Sequence, residues 1–238
     1  MYSRPTHFLS LSLSHDEHIR SCAQKFIKYW TSLSPPIKGL SPDIIVEPQR
    51  LHLTLGTLRL DSTSSVEFAS DVLKNSASCA RTILNGRKLS ARFGRLGTFQ
   101  SELDKCHVLF MTPITDNSKC NLMQRVSESV RKYFYEAKIL HDYNRRIQLH
   151  CTLINTSHRR PSMSQRIPFD ATRIFYPSSM SDESFMELNL KEDILYDWGE
   201  VVFDEVQICE IGSRDENGLY LSLLNEKLSG PPISQSEI

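Results

Sequence analysis

The chain has 238 residues, 39% of them hydrophobic, and carries 28 basic and 28 acidic side chains. That length and apolar content can fill a core, and zero net charge argues against a protein that coats long nucleic acid indiscriminately. No apolar run reaches membrane-spanning length, and the opening MYSRPTHFLSLSLSHDE lacks the apolar centre of a secretory signal. An intracellular protein of nucleus, cytoplasm or both, without membrane association, is expected.

In chain order, THFLSLSL alternates and predicts a strand. A capping-box pattern from Ser14 to Glu17 then opens a helix with Ile19, Cys22, Phe26, Trp30 and Leu33 at three- and four-residue steps. Pro35 and Pro36 end it. An extended segment from about Arg50 to Leu60 precedes a second helix bearing Val66, Ala69, Val72, Leu73, Ala80 and Ile83. Two strands are predicted near 87–98 and 106–114, then a third helix through Leu122, Val126, Val130 and Phe134. A strand from Ile147 to Thr156 follows, and residues 157–168 read as a loop. GEVVFDEVQICEI and GLYLSLL read as a closing strand pair, and SGPPISQSEI as a disordered tail.

The order is strand, helix, strand, helix, echoed by strand, helix, strand. It predicts an α+β fold with two similar lobes, two antiparallel sheets facing a central cleft and helices outside. Residues 1–228 form one such domain and 229–238 the tail. The first strand starts by about Thr6, leaving no space before it for a further module. Six cysteines (Cys22, Cys79, Cys106, Cys120, Cys151 and Cys209) show no C-x-x-C pair, so neither zinc nor a disulfide framework is expected. Charge is uneven. Residues 72–101 hold Lys74, Arg81, Arg87, Lys88, Arg92 and Arg95 with no acid, a surface that suits a small phosphate ligand, while 182–216 is strongly acidic.

One pattern stands apart. Leu-His-x-Thr-Leu occurs in QRLHLTLGTL and again in IQLHCTLINT, with its histidines at His52 and His150, 150 − 52 = 98 residues apart. On a strand, His52 and Thr54 point one way while Leu51, Leu53 and Leu55 point the other; His150 and Thr152 stand likewise against Leu149, Cys151 and Leu153. Each strand keeps an apolar face for packing and presents imidazole and hydroxyl on the other. Two imidazoles suffice for acid–base cleavage of a phosphate ester, because a pKa near 6.5 leaves both protonation states accessible. Which one is the base stays open at this level. The threonine hydroxyls can donate to nonbridging oxygens. No metal and no cofactor is called for, and neither a G-x-x-x-x-G-K nor a G-x-G-x-x-G loop occurs. Arg159 and Arg160, just past the second motif, are candidates for substrate phosphate.

RLHLTLGTL and QLHCTLINT resemble the paired motifs of the 2H phosphoesterase superfamily. They are most similar to the branch containing the A-kinase anchoring protein nuclear-localisation-signal-like domains and the phosphoesterase-like domain of a transcription-coactivator (activating signal cointegrator) complex. The resemblance implies a two-lobed LigT-like fold and roles for His52, Thr54, His150 and Thr152. It also implies a monomeric phosphodiesterase acting without metal on RNA or oligonucleotide ends with 2′,3′-cyclic or 2′,5′ linkages. The alternative it leaves is an RNA-binding or adaptor subunit of a coactivator complex with little turnover.

Overall fold

The computed structural model describes residues 4–114, 119–140, 146–161, 165–176 and 196–230. Strand β1 (His7–Ser12) leads to helix α1 (Glu17–Thr31) and strand β2 (His52–Leu58); helix α2 (Thr63–Leu84) is followed by β3 (Leu89–Thr98) and β4 (Val108–Pro113). Helix α3 (Lys119–Glu136), β5 (Cys151–Asn155), the short α4 (Thr172–Phe175), β6 (Gly199–Phe203), β7 (Glu205–Arg214) and β8 (Tyr220–Lys227) complete the order. Among the described residues no helix is long and apolar enough to cross a membrane. The predicted tail lies almost wholly outside the described residues.

Helix α1 starts two residues later than the predicted capping box. Asp16 is the N-cap and accepts from the Ile19 amide at 3.0 Å, while Ser14 instead bonds the Ser12 hydroxyl at 2.8 Å. A carboxylate at the positive end of the helix gains from the exposed amides and the dipole together. The predicted stripe buries Ile19, Phe26 and Trp30, where Phe26 meets Tyr196 and Trp198 edge-on at 5.3 and 5.8 Å. Helix α2 is held by the reciprocal Ser62 and Ser65 capping box and ends at Asn85 in the left-handed conformation. Its Ala69, Leu73, Ala77 and Ala80 share the core with Met123, Val126, Val130 and Phe134 of α3.

All eight strands form one curled antiparallel sheet in the order β6-β3-β4-β5-β2-β1-β7-β8. The two expected sheets are its halves, β6-β3-β4-β5 and β2-β1-β7-β8, joined where Leu53 of β2 pairs with Cys151 of β5. The halves are not successive stretches of chain. GEVVFDEVQICEI, which reads as one strand, divides at Asp204 into β6, paired with β3 in one half, and β7, paired with β1 in the other. The apolar phase slips there, from Val201 and Phe203 to Val206 and Ile208, as it would at a bulge within a single strand, so the pattern alone did not separate the two cases. Among the described residues Cys22, Cys79, Cys106, Cys151 and Cys209 are free, and the last three are buried.

Candidate active site

The Leu53–Cys151 pair fixes the geometry of both motifs. One step to either side in an antiparallel ladder, His52 faces Thr152 and Thr54 faces His150, and the four side chains share one face. The imidazoles stand on a diagonal, on the order of 7–8 Å between strand positions, which a single phosphate can bridge. Behind them Leu51, Leu53, Leu55, Leu149, Cys151 and Leu153 are buried.

Both motifs end in a β-bulge. Ser10 pairs with Thr54 and Leu9 with Gly56, leaving Leu55 extra; Phe110 pairs with Thr152 and Leu109 with Ile154, leaving Leu153 extra. The last leucine of each Leu-His-x-Thr-Leu is thus the inserted residue, and it bends its strand just past the threonine. The carbonyls of both bulges are satisfied from outside these ladders. Arg131 Nη1 donates to Leu55 O and the Val46 amide donates to Leu153 O, each at 2.8 Å. Gln124 Nε2 donates to Ile147 O at 3.0 Å on the approach to β5. Arg131 and Gln124 are buried on α3, so one helix holds both motif strands.

The histidines are oriented alike. His52 Nδ1 lies 2.7 Å from Arg50 O, and His150 Nδ1 lies 2.7 Å from Gln148 O. A carbonyl only accepts, so each Nδ1 carries the proton and each Nε2 is left for chemistry. Each ring is also walled by two aromatics. Phe8 and Tyr220 approach His52 at 4.9 and 5.2 Å; Phe110 and Phe99 approach His150 at 5.1 and 5.2 Å.

The halves then differ. The Thr54 hydroxyl lies 3.0 Å from His52 Nε2, whereas among the described residues no protein group bonds His150 Nε2 or the Thr152 hydroxyl. Burial lowers the His52 pKa to about 4; the Arg50 carbonyl opposes this, and His150 and the Arg50 guanidinium reinforce it. The ring keeps some surface toward the cleft, yet its packed surroundings remove most of its hydration. His52 is therefore neutral near pH 7, with its lone pair on Nε2. A cleft of about 550 Å³ opens beside it, lined by Ser10, Arg20, Arg50, Gln207 and Tyr220 among others.

Of the remaining predicted residues, Arg159 is turned away from the motif pair. Its guanidinium donates to Ser41 Oγ at 2.9 Å and Gly39 O at 2.7 Å, clamping the loop before β2. The amide of Arg160 donates to Asp43 at 2.7 Å and leaves its side chain exposed. Sequence reasoning passed over Arg50, Phe99, Phe110 and Tyr220, which are distant in the chain; only the position of Arg50, two before His52, offered a signal. Phe8 is buried against His52.

Gly97 sits opposite Phe110, and a β-carbon there would come within 2.5 Å of the Phe110 ring. Gly97→Ala is expected to destabilise the protein by about 1–3 kcal/mol in urea unfolding, because the buried ring cannot move freely. It also displaces a wall of His150, so kcat should fall with stability.

A profile of the AKAP7 2′5′ RNA ligase-like domain matches residues 5–227. The chain belongs to this family. It is thereby a member of the 2H phosphoesterases, whose enzyme class is phosphodiester hydrolysis. Solved structures agree on the fold. TT0787 of Thermus thermophilus aligns with a TM-score of 0.54 and 17% identity over 94% of this chain and 98% of that one. A crystal structure described as a phosphoesterase gives 0.52 and 14% over 96% and 100%, and Escherichia coli LigT in apo form gives 0.50 and 15% over 96% and 100%.

Proposed function

We propose that this phosphodiesterase acts without metal on RNA or oligonucleotide ends, opening 2′,3′-cyclic or 2′,5′-linked phosphodiesters. The observation that carries the reading is the placement of two imidazoles, each with Nδ1 committed to a carbonyl, diagonally across one strand pair beside two hydroxyls. His52 Nε2 takes a proton from the attacking water as its oxygen bonds to phosphorus. His150, protonated, gives a proton to the ribose oxygen as the second P–O bond breaks. Thr54 and Thr152 donate to the nonbridging oxygens as charge builds there. Thr54 leaves His52 Nε2 to do so, freeing the lone pair when substrate binds.

The test is turnover in EDTA of oligonucleotides ending in 2′,3′-cyclic phosphate or containing one 2′,5′ linkage, with all-3′,5′ strands as the control. Release of a phosphomonoester or a shortened strand from the first two supports the reading. No turnover of either overturns it.

A pH dependence follows from His52. Above pH 6.5 the ring is neutral whether the chain is folded or unfolded. Between 6.5 and about 4 the unfolded chain takes the proton first, so this group's contribution to stability disappears as pH falls through that window. The loss is up to about 3 kcal/mol. Urea midpoints at pH 7 and pH 4.5 should differ more for wild type than for His52→Gln. On the acid side, kcat/KM should hold to about pH 5 and fall below it, as the base protonates.

The same reading joins an RNA-end substrate to a monomeric protein and an intracellular site of action. An adaptor role in a transcription-coactivator complex rests on the sequence resemblance alone.

A further inference from the structure

Arg50 and Arg214 stand on the His52 side of the site, and Arg160 and Arg166 at the end of β5, the strand paired with β2. Arg50 lies two residues before His52, supplies the carbonyl that orients it, and lines the cleft with its side chain only 11% exposed. Its Nε is buried without a hydrogen-bond partner, and Glu47 approaches it no nearer than 3.3 Å. Arg214 of β7 pairs across the ladder with Tyr220 of β8, the residue whose ring packs on His52. Opposite residues share a face, so the Arg214 side chain stands beside that ring. Arg166 is held by Thr156 Oγ1 at 3.1 Å and Asn155 Oδ1 at 2.9 Å, at the end of β5. Arg160 is fixed through its backbone, with its side chain in solvent.

His158 lies two residues after Thr156, which anchors Arg166, and two before Arg160. Burial lowers its pKa, and Arg50, Arg160, Arg166 and Arg214 all push it the same way. Glu47 pairs with Arg50 at 3.3 Å, and the other nearby carboxylates have partners of their own. Asp43 accepts from the Ser41 hydroxyl and the Arg160 amide; Glu205 pairs with Lys227 at 2.8 Å; Asp215 accepts the Asn217 and Leu219 amides of its own turn. Cations gathered with so little direct compensation cost stability through mutual repulsion, and a bound polyanion relieves it.

We propose that Arg50, Arg160, Arg166 and Arg214, gathered round His158, hold a second phosphate of the substrate, adjacent to the one cleaved between His52 and His150. The preferred substrate is then an oligonucleotide strand and not a cyclic mononucleotide. The inference rests on the phosphodiesterase reading for the position of the cleaved phosphate, while the arginine cluster stands independently of it. Guanidinium suits this task because its planar fork takes two phosphate oxygens at once.

The experiment uses the full chain and the double variant Arg160→Ala/Arg214→Ala, both positions being exposed and outside the core. Two quantities are read. The first is the ratio of kcat/KM on a short RNA ending in 2′,3′-cyclic phosphate to that on the cyclic mononucleotide. The second is the salt dependence of binding of a 3′-phosphorylated RNA hexamer, measured by fluorescence anisotropy. The ratio should fall about tenfold, and the slope of log affinity against log salt should flatten by about 0.7 for each phosphate that is no longer neutralised. Arg160→Lys/Arg214→Lys, which keeps the charge, should restore most of the slope. An unchanged ratio with an unchanged slope overturns the second site while leaving the chemistry at His52 and His150 standing. No turnover by any form, with the slope still flattened in the alanine variant, overturns the phosphodiesterase reading and supports the site.

Discussion

His52→Ala and His150→Ala should each lower kcat/KM by about a hundredfold to ten-thousandfold on whichever linkage the wild-type protein cleaves. The reason lies in the strand pair. Each ring is held by a 2.7 Å bond to the carbonyl two residues back, so its Nε2 meets the ester without a search over rotamers. The two losses should not add. Once the base is gone, the acid has no attack to complete, and the double variant should resemble the worse single one. The variants should also part in their pH profiles, since burial lowers His52 to about 4; loss of His52 removes the acid-side limb, and loss of His150 leaves it. Stopped assays from pH 4.5 to 8.5 in EDTA measure this. Two single variants with wild-type rates would remove both histidines from the chemistry.

Arg131→Met should destabilise the fold by about 2–4 kcal/mol and take activity with it. Arg131 is buried on α3, with 7% of its surface accessible, and Nη1 donates to the bulge carbonyl of Leu55 at 2.8 Å. Methionine matches much of the stem and none of the donor, so a buried carbonyl loses a charged partner. The bulge then has no anchor, and a strand with one extra residue can relax toward regular pairing. A one-residue slip would turn His52 and Thr54 into the core and Leu53 out to the cleft. The measurements are urea unfolding for stability and kcat below the unfolding range for the site. A fall in kcat beyond the unfolded fraction separates displaced chemistry from simple loss of folded protein.

The parts of this molecule legible in the sequence are those written in local periodicity. The stripe Ile19, Phe26, Trp30 predicted α1, and the alternation about His52 and His150 predicted which side chains face the core and which stand on the opposite face of the strand. Leu55 and Leu153 show the limit. Each continues the apolar pattern without interruption, and nothing local marks it as inserted, since a bulge is a property of the partner strand's register. The division at Asp204 was hidden too, because the slipped alternation at Asp204 and Glu205 fits a bulge within one strand as well as a change of partner. So was the cap at Asp16, where Ser14 and Asp16 both fit the signal and only packing chooses between them. At the site, the four motif residues were legible because they repeat. Tyr220 and Arg214 were not, because they reach His52 through a hairpin near the other end of the chain.

That hairpin has a bearing on biosynthesis. His7 of β1 pairs with Glu210 of β7, 210 − 7 = 203 residues later, so the half-sheet carrying His52 cannot close until Glu210 has left the ribosome. Contacts this remote in sequence form slowly, and the waiting edge of β1 is open to wrong partners meanwhile. A stop codon just after Phe203 would spare every motif residue, yet leave the base on an unfinished scaffold.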